Sequence, residues 1–376
     1  MFEMDGDKNT KIPIAYVIDN FYRGGGTENQ LAVLIDNIDR NRFTPYVFNL
    51  KPKWTDTEID IDCDVYYLNV GSLLSLNTFK AISRIASFLK ENKVKILQVY
   101  FVESRLIGTI AGKLAGMKKI VFCRREMGWW YTPMKLRLFR ILARMAHYCL
   151  VNAHAIKELV AATEKFPASK IEVVHNGVEL KRRGEGKPKE RSDFGIPDFA
   201  PVVVMVANLR PVKRIDRLIR CAAAMKNDRV HFLVVGDGPL LDDLKVQAES
   251  LNIGERFHFY HAKEGVYDIL QMSDVGVLTS ESEGLSNVLI EYAFAGLPTV
   301  AFDSGGNREV VDDGRSGFII ADNDVKLMAA KIDFLFEDVE LYRKMGAAAR
   351  EHAENNFGVA SMVKKTEDFY LKILEE

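Results

Sequence analysis

The chain has 376 residues, more than one hydrophobic core usually organises, so two domains are the first expectation. Its 48% hydrophobic and 27% charged residues fit a soluble globular protein, and a net charge of −1 gives no global case for a nucleic-acid partner. The charge is uneven: residues 1–180 carry 25 Lys and Arg against 19 Asp and Glu (+6), the remainder 26 against 33 (−7).

Cys63, Cys123, Cys149 and Cys221 lie far apart and form no C-x-x-C or Cys/His cluster, so neither a zinc site nor a disulfide framework is expected. The start, MFEMDGDKNT, is polar and acidic, unlike a signal peptide, and no apolar run reaches transmembrane length. The expected address is therefore the cytosol.

The first expected strand is Ile12–Ile18. The loop after it holds Gly24, Gly25 and Gly26, and Thr27 is the expected cap of a helix Glu28–Ile38. Glycines between strand and helix let backbone approach a ligand closely, although a plain turn explains them equally well. Without G-x-G-x-x-G, a dinucleotide site is not expected. Strands Phe43–Leu50, Val65–Leu68, Ile96–Tyr100 and Ile120–Cys123 alternate with helices Leu76–Lys90 and Arg105–Ala115, the spacing of parallel β-α-β units.

At the end of the strand Ile120–Cys123 stand Arg124, Arg125 and Glu126, where open α/β sheets bind ligands. An arginine there suits an acidic sugar or a phosphate; an ion pair between Arg125 and Glu126 is the plain alternative. Residues 128–148 follow. Met134, Leu138, Ile141, Leu142 and Met145 recur at helical spacing, Lys135, Arg137, Arg140 and Arg144 are basic, and Trp129, Trp130 and Tyr131 precede them. The segment reads either as a helix packing its apolar stripe on the sheet or as a basic amphipathic helix on an anionic membrane. Strands Tyr148–Asn152 and Ile171–Val174 flank a helix His154–Thr163, and polar, Gly- and Pro-containing residues 181–198 read as a linker.

The second half repeats the pattern: strand Val202–Val206, loop Ala207–Val212, helix Arg214–Met225, strand Phe232–Val235, a Gly236–Asp237–Gly238–Pro239 turn, helix Leu241–Ser250 and strand Phe257–Tyr260. The densest stretch is Thr279–Val310. Glu283 sits in the loop after the strand Val275–Leu278. Ser286 and Asn287 are good N-cap residues for a helix that Gly296 and Pro298 stop, and Glu291 lies inside it. The helix N-terminus at Gly284, Leu285 and Ser286 is an anion site by its free N–H groups and dipole. A carboxylate one turn in, Glu291, suits paired sugar hydroxyls. The same spacing also describes a capped surface helix with two solvated glutamates. Helices Lys326–Phe336, Leu341–Ala353 and Val359–Leu374 complete the chain.

Glu283 and Glu291, with seven residues between them and AFAGLP following, resemble the E-x7-E signature of family 4 retaining glycosyltransferases of the GT-B fold, and residues 305–320 resemble that family's next block. The resemblance implies two Rossmann-like, doubly wound domains facing a cleft: 1–180 for the acceptor, the linker 181–198, 199–358 for a nucleotide-sugar, and a helix 359–376 crossing back to the first domain. It implies a nucleoside-diphosphate sugar, UDP- or GDP-linked, as donor and no separate cofactor. Glu291 would hold the ribose, Glu283 the sugar hydroxyls, and Gly284, Leu285 and Ser286 the phosphates. Gly25, Gly26 and Glu28 match the family's GG-x-E loop. Lys213 matches a diphosphate-binding lysine; the usual arginine position is Asn208 here, and Arg210 is its expected substitute. The histidine that many members place near residue 124 is absent.

The expected function is retaining, metal-independent transfer of a sugar to a glycan or lipid-linked acceptor in cell-surface polysaccharide synthesis. The enzyme would be cytoplasmic, with peripheral contact to an anionic membrane through 129–145. Two alternatives stand beside it: a nucleotide-sugar epimerase on the same fold, and a non-catalytic nucleotide-sugar-binding subunit of a glycan assembly complex.

Overall fold

The computed structural model describes residues 11–22, 25–52, 61–128, 130–179, 189–261, 266–321 and 324–376. Gly24, Trp129 and residues 181–188 of the expected linker lie outside them. The chain divides into two compact units: unit 1 is Met1–Gly177 with Val359–Glu376, and unit 2 is Val178–Gly358.

Unit 1 runs β1 (Ile12–Ile18), α1 (Gly26–Asn37), β2 (Phe43–Asn49), β3 (Asp64–Tyr67), α2 (Leu76–Glu91), β4 (Ile96–Tyr100), α3 (Val102–Leu114), β5 (Ile120–Arg124), α4 (Pro133–Ala143), β6 (Tyr148–Val151), α5 (His154–Thr163) and β7 (Ile171–Val173). Its strands form one parallel sheet in the order β3-β2-β1-β4-β5-β6-β7. Strand order reverses between β1 and β4. There Asp19, just past β1, accepts from the Ser104 and Glu103 N–H groups that open α3. Burial pushes the Asp19 carboxyl up to about 6, against the lowering effect of those bonds.

Unit 2 runs β8 (Val202–Val206), α6 (Ile215–Ala224), β9 (His231–Val235), α7 (Leu241–Ser250), β10 (Phe257–Tyr260), α8 (Val266–Met272), β11 (Val275–Leu278), α9 (Asn287–Ala295), β12 (Thr299–Phe302), α10 (Asn307–Val310), β13 (Gly317–Ile320), α11 (Val325–Glu337) and α12 (Val339–Asn356). Its parallel sheet is ordered β10-β9-β8-β11-β12-β13, reversing between β8 and β11. The central strands are buried on both faces, which is why Val202–Val206 and Val275–Leu278 read as unbroken apolar runs.

The last helix, α13 (Val359–Glu375), belongs to unit 1. Phe369, Tyr370 and Ile373 join the core of β1, α1 and β4. The Tyr370 hydroxyl meets that of Tyr16 at 3.2 Å and donates to Gln98 Oε1 at 2.8 Å, so no polar group of this trio is buried alone.

Three local expectations are corrected. α1 begins at Gly26 with Gly25 as N-cap, so Thr27 lies inside the helix and does not cap it. A Cβ on residue 25 would lie 2.0 Å from a Glu28 carboxylate oxygen, so a larger residue there would have to move the Glu28 side chain. Residues 191–194, inside the expected linker, form a 3-10 turn built into unit 2: Phe194 is buried and Arg191 donates to Met272 O and the Asp274 carboxylate. In α4 the buried residues are Phe139, Leu142 and Ala143, while Met134 and Ile141 of the expected apolar stripe are 79% and 56% exposed.

Candidate active site

In a doubly wound sheet the ligand crevice lies beyond the strand C-termini at the switch point. In unit 2 that means the loops after β8 and β11, and these loops are tied together. Glu281 N–H donates to Val212 O at 2.9 Å, the Thr279 hydroxyl donates to Lys213 O at 3.0 Å, and Lys213 Nζ meets Glu283 Oε1 at 2.6 Å. The pair is partly buried, with side-chain exposures of 25% for Lys213 and 12% for Glu283, so it is a held ion pair in reduced dielectric, short of full burial.

Three buttresses hold this loop. The Ser304 hydroxyl accepts from Glu283 N–H and donates to Glu281 O, both at 3.1 Å, and Gly306 N–H donates to Gly284 O at 2.7 Å. Gly305 lies between them at φ +52°, where a Cβ would fall 1.7 Å from Glu283 O; the close approach and the left-handed backbone both demand glycine. On the other side, Gly236 at φ +154° packs on Ala207 O, and Asp237 O accepts from Leu209 N–H, so the G-x-G-P turn shapes the loop carrying Lys213. Arg214, itself at φ +50°, is clamped by Asp216 at 2.9 Å and Glu281 at 3.4 Å.

α9 is fixed from below. Its Tyr292 ring lies against Gly276 of β11, where a Cβ would fall at 2.4 Å, and its hydroxyl accepts from Val206 N–H at 2.8 Å. The helix N-terminus is thereby locked at the switch point. Ser286 is the N-cap and is buried, yet its side chain makes no capping bond to its own helix. Leu285 is buried, Gly284 is buried behind Gly306, and Glu291 is half-buried on α9.

The structure therefore brings Lys213, Glu283, Gly284, Leu285 and Ser286 to one end of one sheet. Arg210 is on the same loop as Lys213, but its side chain is exposed and bonds to no described residue. Gly25 and Gly26 open α1 in unit 1. Ser304, Thr279 and Arg214 escaped the sequence reading, because a hydroxyl or arginine that buttresses a loop carries no periodic or spacing signal.

At the corresponding end of unit 1, Arg125 does not pair with Glu126 as the plain alternative expected. The Glu126 carboxylate accepts from Trp130 Nε1 at 3.1 Å and Tyr131 Oη at 2.7 Å. Arg125 donates to Asn176 Oδ1 at 2.7 Å and to Cys123 Sγ at 3.4 Å. His154 stacks edge-on to His175, ring centres 6.0 Å apart.

Residues 24–182 match the profile of Glycosyltransferase Family 4 and residues 186–352 that of Glycosyl transferases group 1. The N-acetyl-alpha-D-glucosaminyl L-malate synthase of Bacillus anthracis is 29% identical over 50% of this chain; the match spans 49%, about half, of that relative. The UDP-Gal:alpha-D-GlcNAc-diphosphoundecaprenol alpha-1,3-galactosyltransferase of Escherichia coli is 26% identical over 80% of this chain and 81% of its own. HepE of Anabaena, solved with UDP and glucose, is 20% identical with a TM-score of 0.80 over 96% of this chain and 100% of its own, a likeness of fold. Carrying both profiles in tandem on two parallel Rossmann-like sheets, the chain belongs to the group 1 glycosyl transferases, as a family 4 glycosyltransferase of GT-B fold.

Proposed function

We propose that the protein is a retaining glycosyltransferase that takes a sugar from a nucleoside-diphosphate donor without a metal ion and passes it to a lipid-linked or other cell-surface glycan acceptor. The observation that carries this reading is the Lys213–Glu283 pair at 2.6 Å beside Ser286, whose cap position leaves its hydroxyl uncommitted to α9. Lys213 supplies a positioned cation for the charge that grows on the departing diphosphate, and Arg210, exposed on the same loop, supplies a second once donor is bound. Ser286 with the Gly284 and Leu285 backbone holds phosphate at the α9 N-terminus. Glu283 accepts from sugar hydroxyls and Glu291 from the ribose. In unit 1, Gly25 and Gly26 offer backbone to phosphate at the start of α1. The anomeric carbon–oxygen bond to diphosphate breaks, the acceptor oxygen bonds on the same face, and its proton passes to the leaving phosphate oxygen, so no dedicated protein base is needed.

A UDP-linked donor is favoured because the E. coli relative is named for UDP-Gal and HepE was solved with UDP; the same relative's diphosphoundecaprenol acceptor supports a lipid-linked one. Among the described residues no helix is long and apolar enough to cross a membrane. We place peripheral contact at 130–145, where Met134 and Ile141 are exposed beside exposed Arg137, Arg140 and Arg144, with Lys135 Nζ 4.3 Å over the Trp130 ring.

The test is calorimetric titration of a panel of UDP- and GDP-sugars into the parent and Glu291→Ala, followed by product analysis with and without acceptor. Glu291→Ala is expected to weaken donor binding about tenfold, the loss of charged hydrogen bonds to hydroxyls. Equal affinity in the two proteins removes the ribose assignment. Donor conversion that needs no acceptor points to an epimerase, and binding with no turnover to a non-catalytic subunit.

A further inference from the structure

Unit 1 holds a cavity of ≈ 50 Å³ next to the start of α1, lined by residues that include Thr27, Tyr100, Arg105, Arg124, Arg125 and Glu126. It lies beyond the C-termini of β4 and β5, beside the point where the strand order of unit 1 reverses, the place where such sheets bind ligands.

The charges around it do not balance. Arg105 is committed through its two Nη atoms, which fork onto Glu164 at 2.6 and 3.4 Å, and lies between the Phe122 and Phe139 rings at 4.3 and 4.5 Å; its Nε has no hydrogen-bond partner among the described residues. Arg124, 4% exposed, shares that one carboxylate only at 3.5 Å, and its Nη1 has no hydrogen-bond partner. Its Nε donates to Glu126 O, and its guanidinium stacks on Tyr131 at 4.3 Å. Arg125 is held by an amide oxygen and a thiol, both neutral; among the described residues no carboxylate meets it. Glu126 is committed to the Trp130 and Tyr131 donors. Among the described residues that line the cavity and their ion-pair partners, three guanidiniums thus face two carboxylates, Glu126 and Glu164, and the Glu126 carboxylate bonds to none of them.

Arg124 is buried with only a shared carboxylate, and Arg125 is partly buried and meets none; cations held in place by stacking and neutral hydrogen bonds are set up to receive an anion. The Tyr100 hydroxyl accepts from Gln98 Nε2 at 2.6 Å and keeps its own proton to donate. A planar fork matches carboxylate or phosphate, and a cavity of ≈ 50 Å³ has room for one such group.

We infer that this cavity binds a compact oxyanion, a phosphate or carboxylate carried by the acceptor, on the forks of Arg124 and Arg125. The assignment to the acceptor rests on unit 1 being the acceptor side of a glycosyltransferase; the anion site itself does not.

The experiment titrates inorganic phosphate and, separately, acetate into the full-length Lys213→Ala protein, which weakens the anion site of unit 2, and into the same protein carrying Arg125→Gln or Arg125→Lys. One saturable site per chain is expected, weakened about tenfold or more by Arg125→Gln, the loss of a charged bond. Arg125→Lys, which keeps the charge and loses the fork, should fall between. The anion that binds tighter identifies the group. If Arg125→Gln does not fold, the Arg125→Lys titration decides alone. No saturable heat with either anion, or binding indifferent to residue 125, overturns the inference. Donor turnover is measured on the parent in parallel: turnover without an anion site sinks this inference alone, and an anion site without turnover sinks the transferase reading alone.

Discussion

Lys213 and Glu283 are 70 residues apart in sequence and 2.6 Å apart in space, and each would be a half-buried lone charge without the other. Lys213→Ala removes the cation facing the leaving group and leaves Glu283 without its ion-pair partner. We expect kcat to fall about 100-fold with little change in KM, the loss of one electrostatic contact made chiefly in the transition state. A rise in KM alone, with kcat preserved, assigns Lys213 to ground-state binding instead. With this role assigned by our proposal to Lys213 and Arg210, turnover by the parent should survive a chelator. Activity lost to the chelator and restored by a divalent ion would show that a metal does the work assigned to the two side chains.

At the scale of elements, α13 shows how a helix distant in sequence completes a sheet's core. Tyr370 reaches Tyr16 on β1 and, through Gln98, Tyr100 on β4. Tyr370→Phe keeps the ring and leaves Gln98 Oε1 and the Tyr16 hydroxyl one partner short in the interior. The expected cost is about 1–3 kcal/mol in urea unfolding, with the slope unchanged. A loss within measurement error would mean that water enters and replaces the hydroxyl. α4 teaches the opposite lesson. Its period was legible, but the face turned inward is set by Phe139, which meets the Arg105 guanidinium at 4.5 Å and Tyr131 at 4.8 Å. Helical spacing fixes which residues share a face, and the neighbouring elements choose which face is covered.

For the whole molecule, the positive excess of residues 1–180 and the exposed Met134 and Ile141 among exposed arginines combine into a membrane prediction. Each basic group near an anionic leaflet contributes roughly 1 kcal/mol, so four give reversible docking that salt should release. The protein is expected to co-sediment with anionic vesicles more than with neutral ones, and replacing Lys135, Arg137, Arg140 and Arg144 by Gln should erase the difference. Indifference to anionic vesicles at low salt would leave α4 a packing helix and favour a soluble acceptor.

The sequence alone determined what repeats and what is local. Short apolar runs such as Val202–Val206 and Val275–Leu278 read as strands buried on both faces, and their alternation with helical periods made the doubly wound sheets legible. The Glu283–Glu291 spacing by itself fitted a capped surface helix equally well and took its meaning from a family resemblance, whereas the N-cap position of Ser286 was legible because helix termini have short-range signals. Short α8, with one turn of apolar pattern, was missed, and the cap of α1 was placed two residues late. Only the tertiary structure decided the pairing of Lys213 with Glu283, the bracing of that loop by Ser304, and the separation of Arg125 from Glu126. These contacts join residues 21 to 70 positions apart, and which side chains meet across such distances depends on strand order and packing, which no local pattern of residues records.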